Sequence, residues 1–343
     1  MKIGIIAHDA FPLAQPYAGG LEMITHLLSN ELSKRGHSVT TLCRRGSQVL
    51  GDIIEYENFP SNDAGLNFDY NKAIDYFIKT NFDIVHNHSL GSKGVTASEE
   101  VRYPYIVSFH TPMFKDLIEG INNLAFPQKL LCTGVSDSLC DEYRAHVNAI
   151  RTVYNGIDLD EWSPHYLKQG FLSWAGRICK EKGLYEVLKY CYLNNLRIKF
   201  AGPVYAQDYF DEFISQFIHE GSCCEYVGHI NRKELNSMIK NSKSFVFSST
   251  WNEPYGLVIA ESLACGTPIM YTQVGASEEI ITKRVGSPFQ LDDEQSFINA
   301  YNAIDNLDPR HCRERAEEFC SHQKMIDAYE VLYNSLVSFR IAV

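Results

Sequence analysis

Two carboxylates and two cations have the types and spacing to do chemistry. Glu253 and Glu261 bracket the run Glu253–Pro254–Tyr255–Gly256–Leu257–Val258–Ile259–Ala260–Glu261, which continues through Ala264–Cys265–Gly266–Thr267–Pro268. The apolar stretch reads as a helix closed by Gly266 and Pro268, with Pro254 in its first turn and Glu253 just outside it. Glu261 then lies two turns in, roughly 10 Å along the axis at 1.5 Å per residue. A helix mouth offers free N–H groups to an anion. A carboxylate only accepts hydrogen bonds, so it suits sugar hydroxyls on either side of a diphosphate. The plainer alternative makes Glu261 a polar-face residue. Against it, the flanks Ala260, Leu263 and Ala264 read as buried, where an uncompensated charge is costly.

Arg177 and Lys182 share one loop, between a strand ending at Ala175 and a helix starting after Gly183. Arg suits bidentate contact with phosphate, and Lys acts as a point charge. Alone they would read as solvated surface charges. Beside the Glu253 motif they read as an anion clamp. The loop after the first strand, His8 to Gly20, ends in Gly19–Gly20 at a helix start. Those glycines let the backbone approach a ligand, or make a plain tight turn, and the pair alone does not separate the two. The loop lacks G-x-G-x-x-G, the dinucleotide fingerprint.

These residues need strands and helices to position them. Ile3–Ala7, Val39–Cys43, Ile84–Val85 and Tyr105–Phe109 read as strands, alternating with helices over Leu21–Arg35 and Tyr70–Lys79. After the turn-rich Tyr154–Asp158 the alternation restarts. Strands are expected at Phe171–Ala175, Ile198–Ala201, Tyr226–Val227, Ser244–Ser248 and Ile269–Tyr271, with helices between them. The chain therefore reads as α/β, two Rossmann-like domains facing across a cleft, with ligands at the carboxyl ends of the strands. The expected domains are 1–160, 161–320 and a last segment, 321–343, crossing back to the first domain. Met325, Tyr329, Leu332, Tyr333 and Leu336 give that segment a helical apolar stripe.

The 343 residues suit two domains, and 21% charged with 45% hydrophobic residues excludes wholesale disorder. The net charge of −11 disfavours a nucleic-acid partner. No run is long and apolar enough for a membrane span, and no leader is read at the N-terminus. Ten cysteines without C-x-x-C read as small core hydrophobes in a reducing compartment, so a cytoplasmic location is expected. The basic pairs Lys34–Arg35 and Arg44–Arg45 leave peripheral contact with the inner membrane face open, although such pairs are more often solvated. Asp158–Leu159–Asp160 has the form of a metal-binding Asp-x-Asp but reads better as a helix cap. His86–Asn87–His88 lacks a third ligand and reads as strand-end polar residues at a cleft.

Taken together, Gly19–Gly20, His110, Gly176–Arg177 with Lys182–Gly183, and Glu253-x(7)-Glu261 resemble the retaining family-four glycosyltransferases of the GT-B fold. Asp83–His88, Phe109–Pro112, Val135–Ser138, Asn155–Asp158 and Gly275…Glu279 follow in the family's order. Ala276 departs from it, since the family often has a second glycine there. The resemblance implies a retaining transfer of a hexosyl group from a nucleoside-diphosphate sugar, UDP-hexose favoured over GDP-mannose. The acceptor would be a sugar or glycolipid, in surface glycan synthesis. It assigns donor binding to Gly19, Gly20, Arg177, Lys182, Glu253, Gly256, Leu257 and Glu261, and catalysis to His110, Arg177, Lys182 and Glu253. The N-terminal domain would take the acceptor and the C-terminal domain the donor. No metal or other cofactor is implied, the two cations doing a metal's work. The rivals are a non-catalytic nucleotide-sugar-binding subunit, a GT-B epimerase or phosphorylase, and an NAD-dependent oxidoreductase. Donor, acceptor, linkage and oligomeric state are not encoded in any motif.

Overall fold

Short, buried, apolar runs dictate the strands. In the computed structural model, which describes residues 1–56 and 68–341, they form two wholly parallel sheets. The first contains β1 (Lys2–Ile6), β2 (Ser38–Arg44), β3 (Asp52–Tyr56), β4 (Ile84–Asn87), β5 (Tyr105–Phe109), β6 (Leu131–Gly134) and β7 (Ala149–Thr152), in the order β3-β2-β1-β4-β5-β6-β7. The second contains β8 (Leu172–Ala175), β9 (Ile198–Ala201), β10 (Cys224–Tyr226), β11 (Ser244–Phe247), β12 (Ile269–Tyr271) and β13 (Gly286–Pro288), in the order β10-β9-β8-β11-β12-β13. Every residue of β4, β5 and β11 is buried, as expected of parallel strands with helices on both faces.

The α/β reading therefore holds, and the sheets have more strands than periodicity revealed. Residues 131–134 and 149–152 carry Cys, Thr, Gly and Arg in four-residue stretches, too short and too polar to announce a strand. Their pairing, Leu131 with Ala149 through Gly134 with Thr152, makes them strands. In each sheet the order reverses once, between β1 and β4 and between β8 and β11. Loops leaving such a point diverge and open a crevice at the strands' carboxyl ends.

The chain divides into two compact units, Gly156–Ser321 and Met1–Asn155, the latter joined by the stretch that begins at His322. The His322–Ile341 helix buries Met325, Tyr329 and Tyr333. Arg35, just past the Gly20–Lys34 helix, holds Asp327 at 2.6 Å and Glu330 at 2.5 Å, and His37 reaches Glu330 at 2.7 Å. All ten cysteines are free, nine of them buried, so they serve as core side chains. Among the described residues no helix is long and apolar enough to cross a membrane.

Candidate functional site

The unit Gly156–Ser321 brings three loops together, because β8, β11 and β12 are neighbours. The loop after β8 carries Arg177 and Lys182, the loop after β11 carries Glu253, and the loop after β12 carries Gly275. Lys182 Nζ forms an ion pair with Glu253 Oε1, their side chains 17% and 11% exposed. Ser249 Oγ donates to the same carboxylate oxygen at 3.2 Å, and the Lys182 ammonium lies 5.4 Å from the Trp251 ring centroid. Hydrogen bonds stitch the first two loops. Ser248 Oγ donates to the Lys182 carbonyl at 2.8 Å, and Thr250 N donates to the Glu181 carbonyl at 2.8 Å. Gly183 is left-handed (φ +63°), and a Cβ there would overlap the Ser248 carbonyl oxygen. The glycine is what allows so close a stitch.

Arg177 is exposed and lies over the Tyr205 ring, 4.7 Å from its centroid, rather than on Glu253. The loop holds an acid that sequence reasoning passed over. Glu181 is kept below the ordinary carboxylate range first by a backbone N–H, then by Cys179 and by the charges of Arg177 and Lys182. Ser249, Trp251 and Glu181 carry no motif of their own. Only their place at strand ends next to Lys182 or Glu253 marks them.

The helix after Glu253 runs Leu257–Ala264, with Gly256 as its N-cap at φ +77° and no side-chain cap. Pro254 is therefore outside the helix, not in its first turn, because the left-handed Gly256 breaks the backbone between them. Glu261 accordingly lies one turn in, about 6 Å from Leu257 at 1.5 Å per residue, not two. The mouth, with Gly256 and Leu257 half-buried, has no side-chain cap, and among the described residues no side chain bonds its first N–H groups.

Glu261 is half-buried, and among the described residues nothing hydrogen-bonds its carboxyl. Burial raises that carboxyl to about 7, opposed by the charge of Arg232 and reinforced by that of Glu161. A raised folded pKa means that ionisation costs stability as pH climbs from the ordinary 4.5 toward 7. Glu261→Gln should therefore stabilise the ligand-free protein at pH 8 by on the order of 1–3 kcal/mol. Urea denaturation at pH 8 and pH 4 checks this, since the gain should vanish at pH 4. An unchanged or lowered midpoint at pH 8 would show that the carboxylate is well solvated.

In the other unit, Gly20 begins the Gly20–Lys34 helix and Gly19 is its N-cap, again without a side-chain cap, and both are exposed. The buried Glu22 lies in its first turn, 3.5 Å from His8 Nδ1. His8, from the loop after β1, has no motif around it and is identified only by this placement. His110 follows β5 directly and is partly exposed. Burial pushes its imidazole down to about 3, with a further push from His8. His86 and His88 are fully buried rather than strand-end residues open to a cleft. They belong to and follow the central strand β4, with Tyr329 and Tyr333 packed beside His86, and His86 and His110 beside His88.

The Asp-x-Asp run is a cap: Asp158 accepts from Asp160 N at 3.0 Å, at the start of the Leu159–Glu161 turn. Among the described residues no group of three or more His, Cys, Asp or Glu is arranged to hold a metal ion. Ala276 is fully buried, and its N–H donates to the Glu253 carbonyl at 3.1 Å.

Comparison with known proteins assigns both halves. The chain matches the family model described as Glycosyltransferase Family 4 over residues 18–161 and the one described as Glycosyl transferases group 1 over residues 159–318. It is 23% identical to an uncharacterized glycosyltransferase, MJ1607, of Methanocaldococcus jannaschii, over 83% of this chain and 84% of that protein. It is 24% identical to the alpha-monoglucosyldiacylglycerol synthase of Streptococcus pneumoniae, over 79% and 70% of the two chains. The fold is that of Anabaena HepE, solved in complex with UDP, with a TM-score of 0.80 at 15% identity over 98% of this chain and all of the other.

Proposed function

Because the chain belongs to the glycosyltransferases that join a Family 4 half to a group 1 half, we propose that it moves a hexosyl group from a nucleoside-diphosphate sugar to a sugar or glycolipid acceptor with retention of anomeric configuration. The observation that carries the proposal is the Lys182–Glu253 ion pair beside the uncapped helix mouth. A diphosphate can replace Glu253 as the partner of Lys182, and donor-sugar hydroxyls can replace Lys182 as the partner of Glu253. The donor therefore meets a cation and an acceptor already held in place, and the free protein does not leave either charge uncompensated.

In this reading Arg177 turns from Tyr205 to the same diphosphate, and the two cations stabilise negative charge as the diphosphate leaves. The N–H groups of Gly256 and Leu257 receive phosphate oxygens. Glu261, one turn along, accepts from the ribose hydroxyls, and binding a diol there offsets the cost of its ionised form. His110 and the Gly19–Gly20 backbone belong to the half that takes the acceptor and serve the donor sugar and its phosphate. UDP-hexose is favoured over GDP-mannose because HepE carries UDP in its crystal structure. A role in glycolipid synthesis is supported by the name of the streptococcal relative, a synthase whose product is a glycolipid. No metal is required in this reading, because Lys182 and Arg177 supply the positive charge, and the location expected is the cytoplasm.

A thermal-shift panel of UDP-glucose, UDP-galactose, UDP-N-acetylglucosamine, GDP-mannose and ADP-glucose tests the donor. A ligand at about 100 times its Kd adds about 2.7 kcal/mol of stability. A midpoint rise of several degrees with a UDP-hexose, greater than with GDP-mannose, is expected. NMR of the product's anomeric proton then reads retention. No shift with any nucleotide sugar would overturn donor binding, and an inverted anomer would overturn the stereochemistry.

A further inference from the structure

One ring nitrogen of His110, Nε2, is engaged by a buried neighbour, and that neighbour decides which nitrogen of the imidazole carries the proton. His88, directly after β4, is fully buried, and its Nδ1 lies 2.8 Å from His110 Nε2. One proton lies between the two atoms. Burial holds both imidazoles well below the ordinary histidine range, so near neutral pH each ring is uncharged and carries a single N–H.

Two arrangements satisfy that shared bond. If His110 donates from Nε2, His88 Nδ1 is bare and His88 carries its proton on Nε2. That atom is buried and has no hydrogen-bond partner among the described residues, so its N–H would be stranded. If instead His88 donates from Nδ1, its Nε2 is only an unfilled acceptor, and His110 carries its proton on Nδ1. A stranded buried donor forfeits a full hydrogen bond, and orphaned N–H groups are rarer in folded proteins than under-used acceptors. The second arrangement is therefore the stable one.

The ring of His88 is also held in place. His86 packs against it with centroids 4.0 Å apart, and His86 is fixed by Tyr333 OH at 2.6 Å and Ser108 Oγ at 2.5 Å. We infer that His88 is a positioning residue, whose Nδ1–H donates to His110 Nε2 and thereby presents His110 Nδ1–H as a hydrogen-bond donor to a hydroxyl oxygen of the donor sugar. Among the described residues nothing hydrogen-bonds His110 Nδ1, so that donor is available. The inference rests on the placement of His110 at the donor sugar proposed above.

Nitrogen-15 long-range NMR on histidine-labelled, ligand-free protein at pH 7.5 reads the tautomers without reference to any substrate. His110 should be protonated at Nδ1 and bare at Nε2, and the reverse pattern would overturn the inference. Kinetics with UDP-glucose test the role. His88→Leu should lower nucleotide release by about tenfold, the worth of one hydrogen bond, and leave affinity for UDP itself unchanged. His88→Asn, whose amide N–H stands where Nδ1–H stood, should recover most of that loss. Equal losses of UDP and UDP-glucose affinity in His88→Leu would mark a structural role and overturn the inference, as would failure of Asn to rescue a folded protein. If the NMR pattern holds but His110→Ala turns over UDP-glucose normally, the fault lies in the placement of His110 at the sugar, and the positioning role falls with it.

Discussion

Lys182→Ala should lower nucleotide-sugar turnover by about 10²–10³-fold, the range found when one preorganised stabiliser of developing charge is removed. It should also destabilise the ligand-free protein. The Glu253 carboxylate is only 11% exposed, and without Lys182 the Ser249 hydroxyl is its one remaining hydrogen-bond partner among the described residues. A fully buried pair broken on one side costs about 3–5 kcal/mol, and the residual solvent access here brings that to about 1–3 kcal/mol. Adding Glu253→Gln to Lys182→Ala removes the stranded charge. The double variant should regain most of the stability and none of the turnover, and urea denaturation paired with a nucleotide-release assay reads both. Turnover that recovers along with stability would show that the pair is only structural. Turnover near wild type in Lys182→Ala would show that the diphosphate is held elsewhere.

The second large effect is expected from a glycine without a side chain to offer. Gly275 has φ +53°, and a Cβ there would overlap the Glu253 carbonyl oxygen and stand 2.5 Å from the Glu253 nitrogen. Backbone atoms at both ends cannot yield as a flexible side chain can. Gly275→Ala should therefore cost about 2–5 kcal/mol, from left-handed strain together with overpacking. It should also displace Glu253 and weaken UDP-glucose binding. Gly221→Ala is the matched control. Gly221 has φ +81° and nothing within 4 Å of a built Cβ, so only the conformational cost of about 1–2 kcal/mol applies. Equal midpoints for the two variants would show that the approach of Gly275 to Glu253 is not tight.

These two predictions mark where sequence reasoning stopped. Arg177, Lys182, Glu253 and Glu261 were legible as residue types at the ends of periodic segments, because a strand's carboxyl end and a helix's first turn can be read locally. That Lys182 and Glu253 form a pair was not legible. It follows from β8 and β11 being neighbours while β9 and β10 lie on the other side of β8. The position of Pro254 was misread for a related reason. Proline favours a first helical turn by its own geometry, and only the left-handed Gly256, where a Cβ would crowd Ile259, moves the helix start to Leu257.

The histidines mark the same limit in the other unit. The sequence reads His86 and His88 as strand-end residues at a cleft and His8 as an ordinary loop histidine. The structure buries the first two, His86 against the rings of Tyr329 and Tyr333 and His88 against His86, and sets His8 beside the helix that Gly20 begins. What the sequence determined by itself was the alternation of strands and helices, the α/β class and the residues that make the motifs, since periodicity and turn chemistry act over a few neighbouring residues. Tertiary structure alone decided which loops meet, which charges compensate each other and which ionisations are perturbed. Glu261 is raised to about 7 and His110 lowered to about 3 because burial and electric field are sums over atoms far apart in the chain.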